Sequence, residues 1–416
     1  MPDKHDKKHI VVIGAGIVGV STAIWLRRAG CEVTLIDRSK PGLGTSFGNA
    51  GVLASCSVVP VTTPGLMFKG PKFLLDPNFP LFLRWSYLPK LAPWLLRYLS
   101  HATDKDTRRI ADGLTPIVSD SIEQHRSLVE DGPAARYVKT SDYSFAYTDR
   151  AAFEDDAYVW ELRKVAGFEP ELIEGEAVRE KEPAFGPAVG LLAVMRDHGY
   201  VTNPGGYVAA LAETLEGMGG KLVTAEVTDF ELTGGEISAV LTNNGRFECD
   251  KAVLSTGVWS KELAGKLGLK VPLESERGYH IVFKNPSFNL KAPVMVAAGK
   301  FVATPMDMGL RCAGVVEFGG IEAGPSKAPV KLLKKKVKET FPDLTYASEE
   351  EWLGHRPAPS DSLPLIGEIK NTGVFSAFGH HHIGLTGGPK TGRLIAGLIN
   401  GERPNLDLSA YDPNRF

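Results

Sequence analysis

The sequence predicts an α/β protein: a doubly wound unit on a parallel sheet, joined to an α+β region of antiparallel strands and helices. Three observations carry this. A buried strand, a glycine-rich turn, a helix and a second buried strand follow one another between Ile10 and Asp37, which is the βαβ half of a doubly wound fold. Helix and strand patterns return from residue 204 to residue 254. Other stretches read as extended chain punctuated by turn signals.

In chain order, residues 10–13 are an apolar run read as a strand, and Ile17, Val18, Val20, Ala23, Ile24 and Leu26 keep a helical period after it. Gly30 stands where a helix C-terminal glycine belongs, and residues 33–36 form a second buried strand closed by Asp37. Residues 107–130 and 151–166 read as helices, and residues 136–147 as extended strands around a Ser141-Asp142 turn. Residues 204–217 are a helix with Asn203 as its cap and Pro204 at its first position. Residues 221–232, 237–242, 251–254 and 279–283 read as strands, with turns at Gly234-Gly235 and Asn243-Asn244-Gly245. Residues 331–341 and about 389–399 are helical. There is no internal repeat or low-complexity segment.

The 416 residues suggest two or three domain-sized units, and 43% hydrophobic with 23% charged residues is ordinary globular composition. A net charge of −2 without a basic stripe excludes an electrostatic nucleic-acid binder. Lys334, Lys335, Lys336 and Lys338 read as a solvated helix face. Cys31, Cys56, Cys249 and Cys312 are far apart, so neither a disulfide framework nor a metal site is expected. The polar start and the short apolar run after it do not read as a signal peptide, which leads to a cytoplasmic expectation. Residues 79–99 are strongly apolar, but Arg84, Lys90, Arg97, Pro80, Pro89 and Pro93 keep them from spanning a bilayer. Their Trp85, Tyr87, Trp94 and Tyr98 are either domain core or a patch that rests on the inner face of a membrane.

The sharpest motif is Gly14-Ala15-Gly16-Ile17-Val18-Gly19, with Asp37 eighteen residues beyond Gly19. Its place between strand and helix makes it a Rossmann-type dinucleotide fingerprint. Gly14 permits the tight turn, Gly16 the approach of a pyrophosphate, and Gly19 close packing of helix on strand. The helix N-terminus offers free N–H groups to phosphate, and Asp37 offers acceptors to ribose hydroxyls. This motif alone does not separate FAD from NAD.

Three later segments do. They are Thr45-Ser46-Phe47-Gly48-Asn49-Ala50-Gly51, then residues 252–260 (AVLSTGVWS), then Gly354-His355-Arg356-Pro357 with Asp361, Pro364-Leu365-Ile366-Gly367 and Gly379-His380-His381-His382-Ile383-Gly384. In this order they resemble the D-amino-acid dehydrogenases, within the wider family of glycine oxidase, sarcosine oxidase and D-amino-acid oxidase. The resemblance covers nearly the whole chain and is weakest over residues 60–200. It implies a Rossmann-type FAD-binding domain, residues 1–65, 203–270 and 350–416, interleaved with an antiparallel-sheet substrate domain, residues 66–202 and 271–349. It implies non-covalent FAD on Gly14, Gly16, Ile17, Val18, Gly19, Asp37, Arg38, Thr45, Ser46, Asn49, Ala50, Gly51, Val227, Thr256, Gly257, Gly384, Leu385 and Thr386.

The activity implied is oxidation of the Cα–N bond of a small amino acid, a D-amino acid or D-proline derivative, by hydride transfer to flavin N5. A helix starting near 387–391 would aim its positive end at the reduced flavin; the alternative is a plain surface helix. Arg356 matches the arginine that grips substrate carboxylate, and its planar fork suits that task; the alternative is an ion pair with Asp361. Tyr279 is either a second carboxylate ligand or a core tyrosine. His380 matches a histidine near the flavin, and His381 or His382 is a candidate to line the substrate pocket. No metal is expected. His5, His9, His101 and His125 read as surface or core. The electron acceptor is a quinone, a dye or oxygen. The rival readings are a glycine- or sarcosine-type amine oxidase using oxygen, a nicotinamide-dependent reductase, and an FAD-binding subunit without substrate chemistry.

Overall fold

The computed structural model describes residues 7–129 and 132–416; His5 and the end of the helix expected to reach Glu130 lie outside these residues. The first sheet runs Leu365–Glu368, Val374–Phe378, Lys251–Leu254, His9–Ile13, Glu32–Asp37, Lys221–Thr224. It is parallel except where Leu365–Glu368 returns antiparallel to Val374–Phe378. His9–Ile13 lies between Lys251–Leu254 and Glu32–Asp37. It is buried on both faces, which is why it reads as a continuous apolar run. Helices Ile17–Arg28, Pro204–Gly217 and Gly384–Ile399 pack on one face. A Cβ on Gly392 would come within 2.6 Å of Thr22 N, so the first and last helices cross almost backbone to backbone. A small sheet of Val227–Thr233, Glu236–Thr242 and Gly245–Glu248 covers the other face with helix Ser260–Lys266.

The second sheet runs Ser348–Pro359, Leu273–Lys284, Gly309–Phe318, Phe301–Met306, Val294–Val296, Val138–Tyr147, Leu191–Val201, Val52–Leu53. Leu81–Leu83 and Glu171–Glu174 attach to Gly309–Phe318 and Leu191–Val201. Helix Lys327–Thr340 covers one face through Val330, Leu333 and Val337. The α/β class holds. Two segments sit differently from the expected division. Strand Ser348–Pro359, with Arg356, belongs to this second sheet. Helices Asp104–Val118 and Ser121–Val129 put Ile110, Leu114, Ile117 and Leu128 into the core of the first domain.

Several element boundaries need correction. Residues 136–147 are a short 3-10 turn and one strand, Val138–Tyr147, in which a bulge between Ser141 and Tyr143 replaces the expected turn. Residues 221–232 are two strands in two different sheets. The strand expected at 279–283 runs from Leu273 to Lys284. Its first half carries Glu274, Glu276 and Arg277, which look like surface residues but are buried and paired. The last helix starts at Gly384 and passes through Pro389. Proline cannot donate to the carbonyl four residues back, Leu385 O. His125 Nε2 donates to that carbonyl instead, at 2.9 Å, so no orphan acceptor stops the helix.

The 79–99 stretch divides. Trp94 and Tyr98 are buried and stacked, with ring centroids 4.6 Å apart, whereas Trp85 is exposed.

Candidate active site

Both sheets face a cavity of about 1310 Å³. That exceeds the ~300–1,000 Å³ usual for a single small-molecule site. Gly14, Gly16, Ile17, Val18, Asp37 and Arg38 line its first end. A Cβ on Gly16 would meet only Ser46 Oγ, at 3.3 Å, and would otherwise enter the cavity. A Cβ on Gly19 would lie 1.8 Å from Gly14 O, so that glycine serves helix packing and does not line the cavity. Asp37 Oδ2 accepts the Ala15 N–H at 2.7 Å, and its Oδ1 accepts from Ser39 N and Oγ. The carboxylate therefore fixes the glycine turn as well as facing the cavity. Val227, Thr256 and Gly257 complete this wall, and Arg38 lies 4.3 Å over the ring of Trp259.

Thr45, Ser46, Asn49 and Ala50 also line the cavity, whereas Gly51 does not. The second sheet holds this loop by its carbonyls. Arg311 Nη1 donates to Phe47 O at 2.9 Å and to Asn49 O at 2.8 Å. His280 Nδ1 donates to Gly48 O at 3.0 Å, and Thr304 Oγ1 to Ala50 O at 2.7 Å. Four successive carbonyls are thus turned toward the sheet. Arg311 is buried, and burial pulls its pKa down to about 10, still charged at neutral pH. Opposite, Gly384, Leu385 and Thr386 bring the N-terminus of the last helix to the cavity. Ser121 Oγ fixes Thr386 O at 2.8 Å. His125 is buried with its pKa pushed down to about 4, so the imidazole holding Leu385 is neutral.

These features fit a dinucleotide. The cradle has a glycine whose missing side chain leaves space, two helix N-termini and a volume above that of one small ligand.

At the far end, Trp352, Gly354 and Arg356 alternate along their strand and line the cavity. Arg356 is paired in register with Glu276, and its Nη1 donates to Glu276 Oε1 at 2.6 Å. The guanidinium lies over Gly278, where a Cβ would fall 2.5 Å from it. Nε and Nη2 form the other edge of the fork and make no hydrogen bond to the described residues. Arg356 does not pair with Asp361, whose partner is Arg415 at 2.7 Å.

Glu276 Oε2 accepts from His381 Nε2 at 2.5 Å. Burial alone would raise the Glu276 carboxyl; His381 and Arg356 outweigh it and hold the group well below the usual carboxylate range. His381 adopts φ 49°, a left-handed conformation that is strained for a side-chain-bearing residue. His382 follows on the same loop, lines the cavity and makes no protein hydrogen bond among the described residues. Its side chain is exposed in the open cavity; the surrounding protein and the neighbouring His381 push its pKa down, so it is neutral.

His380 Nε2 bonds Thr391 Oγ1 at 2.9 Å, and that hydroxyl donates to Gly387 O. The hydroxyl has one proton, so His380 donates from Nε2; burial holds its pKa at about 4. Tyr279 is buried and its hydroxyl donates to Glu317 Oε2 at 2.6 Å while accepting from Ser326 N. Its ring borders the cavity, but the hydroxyl is taken up by Glu317 and Ser326, which favours the core reading of Tyr279 over the carboxylate ligand. No group of three or more His, Cys, Asp or Glu placed to hold a metal ion occurs among the described residues. Glu276 and Arg311 were not among the expected site residues. For Glu276, strand alternation with Gly278 was an available signal.

The model of the FAD dependent oxidoreductase family matches residues 9–398. The chain is 39% identical to a D-amino-acid oxidase of Bradyrhizobium diazoefficiens over 417 residues, covering 98% of this chain and 99% of that protein. It is 28% identical to a D-amino acid dehydrogenase of the same organism, over 98% of each. The glycine oxidase of Geobacillus kaustophilus superposes with a TM-score of 0.74 at 20% identity, over 99% of this chain and 100% of that one, a likeness of fold.

Proposed function

The chain belongs to the family of FAD dependent oxidoreductases, and we propose that it oxidises the Cα–N bond of a small amino acid whose carboxylate is held by Arg356. The observation that carries this reading is the free Nε/Nη2 edge of Arg356 on the cavity wall, with Nη1 already fixed by Glu276. A guanidinium oriented on one side presents two parallel donors to a carboxylate on the other. FAD, when bound, supplies the acceptor for the hydride that leaves Cα. The residues proposed to hold it are the glycine turn with Asp37 and Arg38, the 45–51 loop, Val227, Thr256, Gly257 and residues 384–386.

The chain's own side chains handle charge and protons. Amine oxidation requires a neutral amine, because its lone pair forms the new C=N bond as hydride departs. The substrate amine therefore reacts in its neutral form, and His382, neutral and on the cavity wall, offers an acceptor to its N–H. Glu276 keeps Arg356 aimed and gives His381 a fixed partner. The imine then hydrolyses, or rearranges if the substrate is a cyclic secondary amine.

The relatives named for D-amino acids support a D-configured substrate. We further propose a quinone or dye as the preferred acceptor over oxygen. The apolar wall of Leu66, Met67, Phe73, Leu74, Leu95 and Leu99 at one end of the cavity supports an apolar acceptor. Anaerobic mixing of the yellow protein with D-amino acids, glycine, sarcosine and proline derivatives tests the reading. Bleaching by a subset of these compounds is expected. No bleaching by any of them would remove the proposal.

A further inference from the structure

No helix among the described residues is long and apolar enough to cross a membrane, yet one face of the protein combines apolar side chains and positive charge in an unusual way. Six large hydrophobic residues within positions 61–96 are exposed, Phe68 at 86%, Leu75 at 75% and Leu96 at 70% among them. Between residues 61 and 102 the basic residues are Lys69, Lys72, Arg84, Lys90 and Arg97, against the single acid Asp76, in a chain whose net charge is −2. Only Arg84 has an acidic partner, Glu317. Lys69, Lys72, Lys90 and Arg97 are exposed and make no ion pair among the described residues. Other exposed cations are paired at Lys164, Arg196 and Arg246 and, among the described residues, unpaired at Lys105, Lys139, Lys221 and Lys270; what marks this face is the near absence of acid among its cations and exposed apolar side chains.

The elements explain how the face is built. Helix Leu88–Ser100 buries Leu91, Trp94 and Tyr98 on one side. Its other side presents Lys90, Pro93, Leu96 and Arg97 to solvent. Helix Leu66–Leu75 exposes Phe68, Lys72 and Leu75 away from the cavity, while Met67 and Lys69 are exposed and also line the cavity. Both helices turn their remaining apolar residues to the cavity, Phe73 and Leu74 from one, Leu95 and Leu99 from the other.

We propose that this face, formed by helices Leu66–Leu75 and Leu88–Ser100, docks on an anionic lipid surface. Apolar side chains interleaved with unpaired cations and almost no acid match a layer of anionic headgroups over acyl chains. A protein partner would need its own acids set against each cation. Because the same helices line the cavity, an apolar acceptor dissolved in the bilayer would reach the cavity's apolar end directly. Such delivery rests on the acceptor proposed above; the docking itself does not.

The holoprotein is floated with vesicles of phosphatidylcholine alone and of phosphatidylcholine with phosphatidylglycerol, at low and high salt. Co-flotation with the anionic vesicles that falls at high salt is expected. Phe68→Ser with Lys72→Glu and Lys90→Glu should weaken it at least about ten-fold, since each cation near an anionic surface contributes several-fold. Amino-acid-driven bleaching of the flavin in vesicle-free solution should be unchanged in that variant, because none of the three residues lines the cavity. Absence of co-flotation, equal binding to both vesicle types, or undiminished binding by the variant would overturn the proposal. So would a stable dimer that the variant dissociates, since a second copy would then cover the face. Failure to bleach with amino acids would strike the proposed reaction and leave the vesicle result standing.

Discussion

Arg356→Lys separates a substrate clamp from a structural arginine. Lysine keeps the positive charge and can still reach Glu276, replacing the 2.6 Å contact from Nη1. It cannot offer the second edge of the fork, because an ammonium is a point charge without the paired donors of Nε and Nη2. Losing a charge-assisted pair in a desolvated site costs about 2–5 kcal/mol. At ~1.36 kcal/mol per factor of ten, kcat/KM should fall about 30-fold to several thousand-fold. The assay compares an amino acid with the amine that lacks its carboxylate. The amine should already be a poor substrate and should lose little further in the variant. FAD content should stay near normal, since Arg356 lies on the second sheet, away from the glycine turn. Unchanged turnover of the amino acid, or an equal loss for both compounds, would refute the clamp.

Other perturbations follow from the same geometry. Gly16→Val should yield folded protein with little FAD, because the new side chain enters the cavity. Gly19→Val should lower the melting temperature and soluble yield, because its Cβ meets Gly14 O; the reverse pattern in yield and flavin absorbance would contradict these assignments. Arg311→Lys should weaken FAD retention about ten- to a hundred-fold in a fluorescence titration, since one of two charge-assisted bonds to the 45–51 loop is lost, worth ~1.5–3 kcal/mol; affinity within two-fold of wild type would argue against a loop clamp. Finally, His125 and His380 are buried neutral with pKa values near 4, against 6.5 when exposed. The unfolded chain therefore takes up their protons first. Their contribution is fully present above about pH 6.5 and is lost as pH falls toward 4, by up to ~1.4 kcal/mol per group per pH unit. The melting temperature should drop across that window, and His125→Gln should flatten the drop.

The first sheet was legible because its strands are apolar throughout and its glycine turn carries a fixed spacing. The helix at Pro204–Gly217 was equally plain, since Asn203 caps it by accepting from Gly206 N. The site was legible where chemistry and resemblance met in one short segment, as at Arg356 and residues 45–51. It was obscure where function depends on pairing between distant strands. Glu276 and Arg356 are eighty residues apart and meet only through strand register. Tyr279 could be placed near the cavity, but its hydroxyl partner Glu317 comes from a third strand that no local pattern ties to it. The run of three histidines gave no hint that His381 would hold a buried carboxylate while His382 makes no hydrogen bond among the described residues. That division follows from the left-handed turn at His381. Pro389 likewise misplaced the start of the last helix, because the residue that rescues Leu385 O lies far upstream at His125.

The central claim is that this cavity moves hydride from the Cα of an amino acid held by its carboxylate. The most direct measurement is anaerobic stopped-flow reduction of the bound flavin by an amino acid with protium or deuterium at Cα. The flavin should be reduced without any nicotinamide, deuterium should slow the bleaching, and one imine-derived product should appear per flavin. A flavin that no amino acid reduces, or that is reduced only when a nicotinamide is added, would contradict it.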